Sequence, residues 1–199
     1  MTTGTLRERK RTAAMYRIQT TALDLFEGHG FDEVTVEQIA AASDVSASSI
    51  YRYFGTKEQI VLWDEFDPRL AQLVGEAVTG AAPLDGVRRV MAGLLDGLTP
   101  QDEQRIARRV RLMMSTPSVE AASATLSYAA AELIGDVLAA QLDRPVADLQ
   151  IQVFSHALIG GVLGMLHHWH GTGFAEPLGA ALTRTFDIFE QGLDIVPTT

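Results

Sequence analysis

Residues 31–60 read FDEVTVEQIAAASDVSASSIYRYFGTKEQI, and this stretch contains three helix starts in close succession. Thr35 precedes Gln38 at the spacing of a capping box, in which a hydroxyl and an amide satisfy the first backbone donors of a helix. Ser46 and Thr56 repeat the pattern of a hydroxyl placed before an apolar-periodic run. The stretch therefore predicts helices that begin after Thr35, Ser46 and Thr56.

The apolar residues beside these caps predict how the first two helices pack. Val34 with Ile39, and Val45 with Ile50, stand where hydrophobic staples hold the entry of a helix. Asp44 falls between the two helices, and aspartate tolerates the left-handed conformation of a tight turn better than most residues. We therefore expect two short helices joined by a turn of about three residues, followed by a third capped helix.

The second helix of such a pair enters the DNA major groove, and its N-terminal residues face the base edges. This helix exposes small, hydroxylic, aromatic and basic residues and no acidic residue. Such a surface can approach phosphate, so the pattern predicts a DNA-binding helix-turn-helix. The candidate base contacts are Ser46, Ala47, Ser48, Ser49 and Arg52.

The residues before this stretch predict a first helix over about Thr12–His29, ended by the left-handed residue Gly30. Four basic residues precede the helix and predict a flexible arm that reaches an adjacent groove or phosphates: Arg7, Arg9, Lys10 and Arg11. We take Arg9 and Arg11 as the DNA contacts of this arm.

The stretch also resembles the N-terminal signature of the TetR family. The matching residues are Gly30-Phe31, Thr35, Ile39-Ala40, Val45-Ser46, Tyr51, Phe54, Lys57-Glu58 and Ile60. The resemblance implies that Thr35, Tyr51, Tyr53 and Lys57 contact backbone phosphates. It also implies a TetR-like architecture, with a three-helix DNA-binding unit followed by a helical bundle. The family usually has glycine where this chain has Asp44, and we expect the turn to form at a small cost.

The rest of the chain shows no strand pattern, because apolar residues recur at three- and four-residue spacing. We therefore predict an all-α fold of nine helices, in which the fourth runs from Thr56 to about Val78 and bends at Pro68. The last five helices are expected at Leu84–Leu98, Pro100–Ser115, Pro117–Leu142, Val146–His170 and Glu176–Leu193. We expect a DNA-binding domain over residues 1–57 and a ligand-binding and dimerisation domain over residues 58–199.

Charge and composition limit the partners of the protein. The net charge of −9 lies wholly beyond residue 57, since residues 1–57 hold seven basic and seven acidic residues. A nucleic-acid partner is compatible with this distribution, because local charge decides binding. The absence of cysteine excludes disulfides and thiolate metal sites. No signal peptide is recognised, and the apolar run Val153–Leu166 is shorter than the ~20 residues of a membrane span. We expect a cytoplasmic protein with no membrane partner.

The C-terminal part is similar, more loosely, to TetR-type domains that bind acyl-CoA-like ligands. The shared features are the arginine-rich helix before Ser115-Thr116-Pro117, then Trp169, Pro177-Leu178, Phe186 and Gly192-Leu193. The similarity implies a small-molecule effector, either acyl-CoA-like or another hydrophobic compound. The residues expected to line its pocket are Trp63, Phe66, Met91, Leu95, Arg109, Met113 and Tyr128. The alternatives are ordinary core packing of the apolar residues and pairing of the arginines with carboxylates.

Three glycines inside the eighth predicted helix, Gly160, Gly161 and Gly164, favour a close approach between helices, which would offset their low helix propensity. We therefore expect a homodimer through Val146–His170 and Glu176–Leu193. Two-fold symmetry is the most common arrangement of such dimers.

No catalytic signature is present, so we expect neither an enzyme nor a cofactor. His167 and His170 are the one histidine pair in their cluster that shares a helix face, with no carboxylate beside them, so we expect no metal site. The function expected is that of a repressor released from a palindromic operator by a small molecule. A DNA-binding regulator without a small-molecule ligand and a transcriptional activator are the alternatives.

Overall fold

The structure is a computed structural model that describes residues 6–64, 67–78 and 83–193. Within these residues the fold is all-α, as predicted, with ten helices and no strand. The helices are α1 Leu6–His29, α2 Val36–Ala42, α3 Ala47–Phe54, α4 Lys57–Leu62, α5 Asp67–Val78, α6 Pro83–Leu95, α7 Pro100–Ser115, α8 Pro117–Leu142, α9 Leu149–Gly171 and α10 Leu178–Glu190.

The tenth helix arises because the fourth predicted helix is two helices. Helix α4 ends at Leu62, and the next residue, Trp63, has extended backbone angles (φ −58°, ψ 129°). Pro68 lies in the first turn of α5, where the missing N–H of proline costs nothing because the first donors of a helix have no intrahelical partner. The prediction of one bent helix was wrong, since the proline helps to start a helix.

The basic residues at the N-terminus are helical, which corrects the prediction of a flexible arm. Helix α1 begins at Leu6 and includes Arg7, Arg9, Lys10 and Arg11. Arginine and lysine are good helix formers, and Glu8 in the first turn favours the positive end of the helix dipole. The helix therefore sets the direction in which each of these side chains leaves α1.

The chain divides into two compact units, and α7 and α8 supply residues to both. The first unit comprises Met1–Glu65 and Arg108–Ser123. In it, α1 packs on α2 and α4, and α3 packs on α2 and α4. Its core contains the buried side chains of Met15, Ile18, Ala22, Leu23, Phe26, Phe31, Val34, Ile39, Ile50, Phe54, Ile60 and Val61.

The second unit comprises Phe66–Ala107 and Ala124–Thr199. In it, α6 packs on α5 and α10, and α10 also packs on α9. Trp169 and Phe186 are its largest fully buried side chains, and the indole of Trp169 donates a hydrogen bond of 2.8 Å to the carbonyl of Glu176. The sequence predicted a division after residue 57 between a DNA-binding domain and a ligand-binding domain. The two compact units do not test that functional division, which stays a prediction.

Helix α9 is close in its bounds to the predicted helix Val146–His170, and it is longer than the apolar run that was judged too short for a membrane span. Its 23 residues are enough, by length and composition, to cross a membrane. The expectation counted only the run Val153–Leu166, although the helix continues on both sides of it. This test does not identify a membrane protein, because the core helix of a soluble protein passes it too. In the most apolar window of α9, 22% of the residues are buried, so most of this window is half-buried or exposed.

Candidate nucleic-acid interface

Each of the three short helices in the first unit begins with a side-chain cap, as predicted. Thr35 Oγ1 accepts from the backbone N–H of Gln38 at 3.2 Å, and Gln38 Oε1 accepts from the Thr35 N–H at 2.8 Å, which completes the capping box. Ser46 and Thr56 accept from the third residue of their own helices at 3.2 and 3.3 Å. Helices of six to eight residues are not stable in isolation, so these caps add to the packing of the buried side chains of Ile39, Ile50 and Ile60.

The turn between α2 and α3 forms with aspartate in the left-handed conformation. Asp44 has φ 55°, and the following N–H of Val45 donates to the Ala40 carbonyl at 3.0 Å. Ile39 and Ile50 are buried on either side of the turn. The helix-turn-helix predicted from the sequence is therefore present.

The N-terminal end of α3 presents a cluster of hydroxyl groups to solvent. Ser46 Oγ lies 2.9 Å from both Ser48 Oγ and Ser49 Oγ, and Ala47 is half-buried beside them. Tyr51 is exposed one turn later. This end of the helix thus offers donors and acceptors with no carboxylate among them.

Tyr53 lies between two guanidinium groups and joins α3 to α1. Its ring centroid is 5.1 Å from Cζ of Arg52 and 5.9 Å from Cζ of Arg11, both within the range of cation–π attraction. The groove beside this contact, called here the basic groove, has a volume of about 1000 Å³. It is lined by Leu6, Arg7, Glu8, Lys10, Arg11, Arg52 and Tyr53. The structure thus brings Arg11 to α3, whereas Arg9 does not line the basic groove.

Lys57 holds the connection between α1 and α2. Its ammonium donates to the carbonyls of Phe31 at 2.8 Å and Val34 at 3.1 Å, and it lies 4.3 Å from the centroid of the Phe31 ring. An ammonium has three donors, so one remains beyond these two bonds. Lys57 therefore supports the entry into α2 from the start of α4.

The C-terminal end of α4 is closed by two side chains from other helices. Gln19 Nε2, which is fully buried on α1, donates to the carbonyls of Ile60 at 2.8 Å and Trp63 at 2.9 Å. Arg109 on α7 donates to the carbonyls of Val61 at 2.8 Å and Leu62 at 3.0 Å. These bonds satisfy the carbonyls that a helix end leaves without partners. The sequence analysis missed Gln19, because one glutamine on an apolar face carries no local signal.

The arginines of α7 bind groups of the protein itself. Arg108 forms a fork with Glu27 on α1, through bonds of 2.7 and 2.9 Å, and a further bond of 2.6 Å to Asp24. Besides its carbonyl contacts, Arg109 lies 3.4 Å from Asp64. Arg105 pairs with Asp102 at 3.5 Å and Arg111 with Glu27 at 4.0 Å. Pairing with carboxylates, the alternative to a ligand site, is therefore observed for all four arginines of α7. The role of Arg109 towards a ligand stays a prediction.

The other residues expected to line a ligand pocket are spread over both units. Trp63 packs edge-on against Phe54 at 6.1 Å in the first unit, where the sulfur of buried Met113 accepts from Ser123. Met91 and Leu95 are half-buried on α6, and Tyr128 on α8 is 59% exposed. Phe66 lies outside the described residues. The structure does not bring these side chains together within one unit.

The predicted dimer helices, α9 and α10, carry an exposed apolar surface. Gly161 is in contact with the Phe189 ring of α10, whereas a Cβ at Gly160 or Gly164 would meet no atom within 4 Å. A groove of about 760 Å³ runs along this surface, lined mainly by small and apolar residues of the two helices. Ile188 and Leu193, which line this groove, are exposed, and so are Leu149 and Val153 of α9. Among the described residues, no group of histidine and acidic side chains could hold a metal ion.

Comparison with known proteins agrees with this geometry over nearly the whole chain. The family model of bacterial regulatory proteins of the tetR family matches residues 18–62, and the model of the MftR C-terminal domain matches residues 81–194. The chain is 28% identical over 191 residues to a candidate mycofactocin biosynthesis transcriptional regulator, MftR, of Mycobacterium tuberculosis. That match covers 94% of each protein.

Solved structures share the same fold. FadR of Thermus thermophilus, a TetR-family repressor solved with lauroyl-CoA, has a TM-score of 0.55 at 22% identity and covers 92% of this chain and 97% of its own. SmeT of Stenotrophomonas maltophilia, solved with triclosan, has a TM-score of 0.58 at 19% identity, with 94% and 96% covered. With both family models matched in sequence order, the chain belongs to the TetR family of bacterial regulatory proteins and is a transcriptional regulator, not an enzyme.

Proposed function

We propose that the protein is a repressor that binds a palindromic operator as a homodimer, with α3 of each copy in the major groove. The observation that carries this proposal is the hydroxyl cluster at the exposed N-terminal end of α3, the end that faces base edges in such helices. The proposed base contacts are Ser46, Ala47, Ser48 and Ser49, and the proposed phosphate contacts are Thr35, Tyr51, Tyr53, Lys57 and Arg11.

A second copy of the chain is the proposed partner of the α9–α10 surface. Exposed apolar surface of this kind marks an interaction site, and Gly160 and Gly164 would allow the helices of two copies to approach closely. Two-fold symmetry is the most common arrangement of such dimers, and binding to two half-sites would require the two α3 helices to lie about 34–36 Å apart, one turn of DNA. The dimer would therefore read two half-sites of opposite orientation.

The proposed effector is a hydrophobic small molecule, and an acyl-CoA is the first compound to test. Support comes from the C-terminal domain, whose fold is shared with FadR, itself solved with lauroyl-CoA. The effector would favour a conformation in which the two α3 helices no longer fit the operator, and binding of DNA and effector would then oppose each other reciprocally. We place the protein in the cytoplasm, where it meets both.

Selection from a randomised DNA library tests the function directly. The purified protein is mixed with the library at moderate salt, and the bound sequences are read after several rounds. We expect an enriched palindrome, and we expect lauroyl-CoA to lower the affinity for it. A folded dimer that enriches no sequence would contradict operator binding. An enriched palindrome whose affinity no acyl-CoA changes would instead reject the acyl-CoA effector, and a promoter–reporter assay would separate repression from activation.

A further inference from the structure

The basic groove concentrates positive charge in a protein whose net charge is −9. Four of its lining residues are arginine or lysine and one, Glu8, is acidic. It is continuous with the helix-turn-helix, because Arg52 and Tyr53 belong to α3 while the other lining residues belong to α1. The groove therefore extends the proposed DNA surface sideways from the recognition helix.

One face of α1 supplies the charge, not the basic segment as a whole. Arg7, Lys10 and Arg11 stand at i, i+3 and i+4 and so share a face. Arg9 follows Arg7 by two residues, which places it roughly 200° around the helix, and it does not line the groove. The difference between Arg7 and Arg9 is one of position, since the two side chains have the same chemistry and are both exposed.

Arg52 is held on the α1 side of the recognition helix. Its guanidinium contacts the ring of Tyr53 and donates to Ser49 Oγ at 3.3 Å, and Arg11 of α1 approaches the same ring. Arg52 also lies in the second half of α3, whereas base edges are read mainly by residues at the N-terminal end of such a helix. Its position therefore fits the flank of the helix better than the base-reading role that the sequence suggested.

We propose that the basic groove binds the sugar–phosphate backbone of the DNA strand that borders the major groove, with Arg7, Lys10, Arg11 and Arg52 as its phosphate contacts. This inference rests on the proposed function. A helix lying in the major groove has a phosphate backbone along its side, and contacts to that backbone position the protein without reading sequence. Arg52 is thus a phosphate contact and not a base reader.

The dependence of DNA affinity on salt separates these roles. Affinity is measured over a range of salt concentrations for the selected palindrome and for a scrambled duplex of equal length. Arg7→Ala, Lys10→Ala and Arg52→Ala should each reduce the magnitude of the negative slope of log K (the association constant) against log salt by about 0.9, the loss of one phosphate contact. Each should weaken both duplexes by the same factor. Arg9, which the sequence led us to expect as a DNA contact, does not line the basic groove and is left out of the proposed contacts. Arg9→Ala is therefore the matched control and should leave the slope unchanged.

The outcomes decide between the proposals. If Arg9→Ala reduces the magnitude of the slope as much as Arg7→Ala, general charge attraction accounts for binding and the groove is rejected. If Arg52→Ala broadens the base preference at one operator position with an unchanged slope, Arg52 is a base reader and its assignment is overturned. A wild-type protein that binds no duplex overturns the proposed function itself, before any variant is compared. Urea unfolding of every variant checks that the fold is kept.

Discussion

The short helices α2–α4 and the long helix α9 differ in how far their apolar side chains are buried. Helices α2–α4 have six to eight residues, and side-chain hydrogen bonds close their ends. Helix α9 has 23 residues, and the side chains along its length remain partly uncovered. Isolated helices shorter than about 12 residues are marginal in water, so the short ones depend on the burial of residues such as Ile39, Ile50 and Ile60 as well as on bonds at their ends. The long helix can leave one face for another molecule.

Removal of the Gln19 amide, the buried donor at the C-terminal end of α4, should lower the stability of the protein most. Gln19→Leu keeps a similar volume but leaves the carbonyls of Ile60 and Trp63 without this donor. Because an unsatisfied buried polar group costs about 1–3 kcal/mol, we expect the free energy of unfolding to fall by about 3 kcal/mol in urea titrations. Arg17→Leu, at an exposed position of the same helix, is the control. A loss equal to that of the control would show that the end bonds contribute nothing.

Substitution of Arg109, which also bonds to carbonyls at the C-terminal end of α4, should lower the stability of the protein less. The side chain of Arg109 is 13% exposed, and that of Arg111 on the same helix is 52% exposed. Arg109→Met should lower the unfolding free energy by about 2 kcal/mol, because its carbonyl partners are part-buried. Arg111→Met should change it by less than about 0.5 kcal/mol, as surface substitutions do. Equal effects of the two variants in the same urea assay would contradict a specific role for Arg109.

The capped ends were predictable from the sequence, whereas the bonds that close α4 were not. Thr35, Ser46 and Thr56 act on residues three positions away, so their signal is local. Gln19 and Arg109 bond to carbonyls more than 40 residues distant, and nothing in the sequence pattern specifies such a partner. Pro68 was ambiguous for a different reason, because proline is compatible with both a bent helix and a new helix start.

Substitution of two glycines, Gly161 and Gly164, tests whether the exposed face of α9 is covered by a second copy of the chain. Gly161→Ala places a methyl group against the Phe189 ring, and such overpacking costs about 1–3 kcal/mol. The methyl group added by Gly164→Ala meets no atom of its own chain within 4 Å. Because alanine has the higher helix propensity, this variant should stabilise the folded chain by up to about 1 kcal/mol. If a second copy covers this face, Gly164→Ala should nevertheless weaken the dimer in sedimentation experiments. An unchanged dimer would remove Gly164 from the proposed interface.

The smallest expected effect concerns how the stability of the protein changes at low pH through Asp102, in the first turn of α7. The hydroxyl of Thr99 donates to Asp102 at 2.7 Å, and this bond lowers the pKa of the Asp102 carboxyl below its usual value. A lowered folded-state pKa stabilises the protein above the unfolded pKa of about 3.9, and this contribution is lost as the pH falls through the folded value. Asp102→Asn should therefore flatten the decline of stability below about pH 4 in urea titrations. Asp96→Asn, at an exposed position, should leave that decline unchanged.

The membership of Arg108–Ser123 in the first unit affects how hybrid regulators can be built from this chain. The unit that contains the helix-turn-helix, which we propose binds DNA, is not one contiguous segment of the chain. A fusion of residues 1–65 to a foreign sensor domain would expose the carbonyls of Val61 and Leu62, and the carboxylates of Asp24 and Glu27, to whatever that sensor presents. Retargeting is therefore better done by exchanging surface residues of α3 in place, with both units left intact.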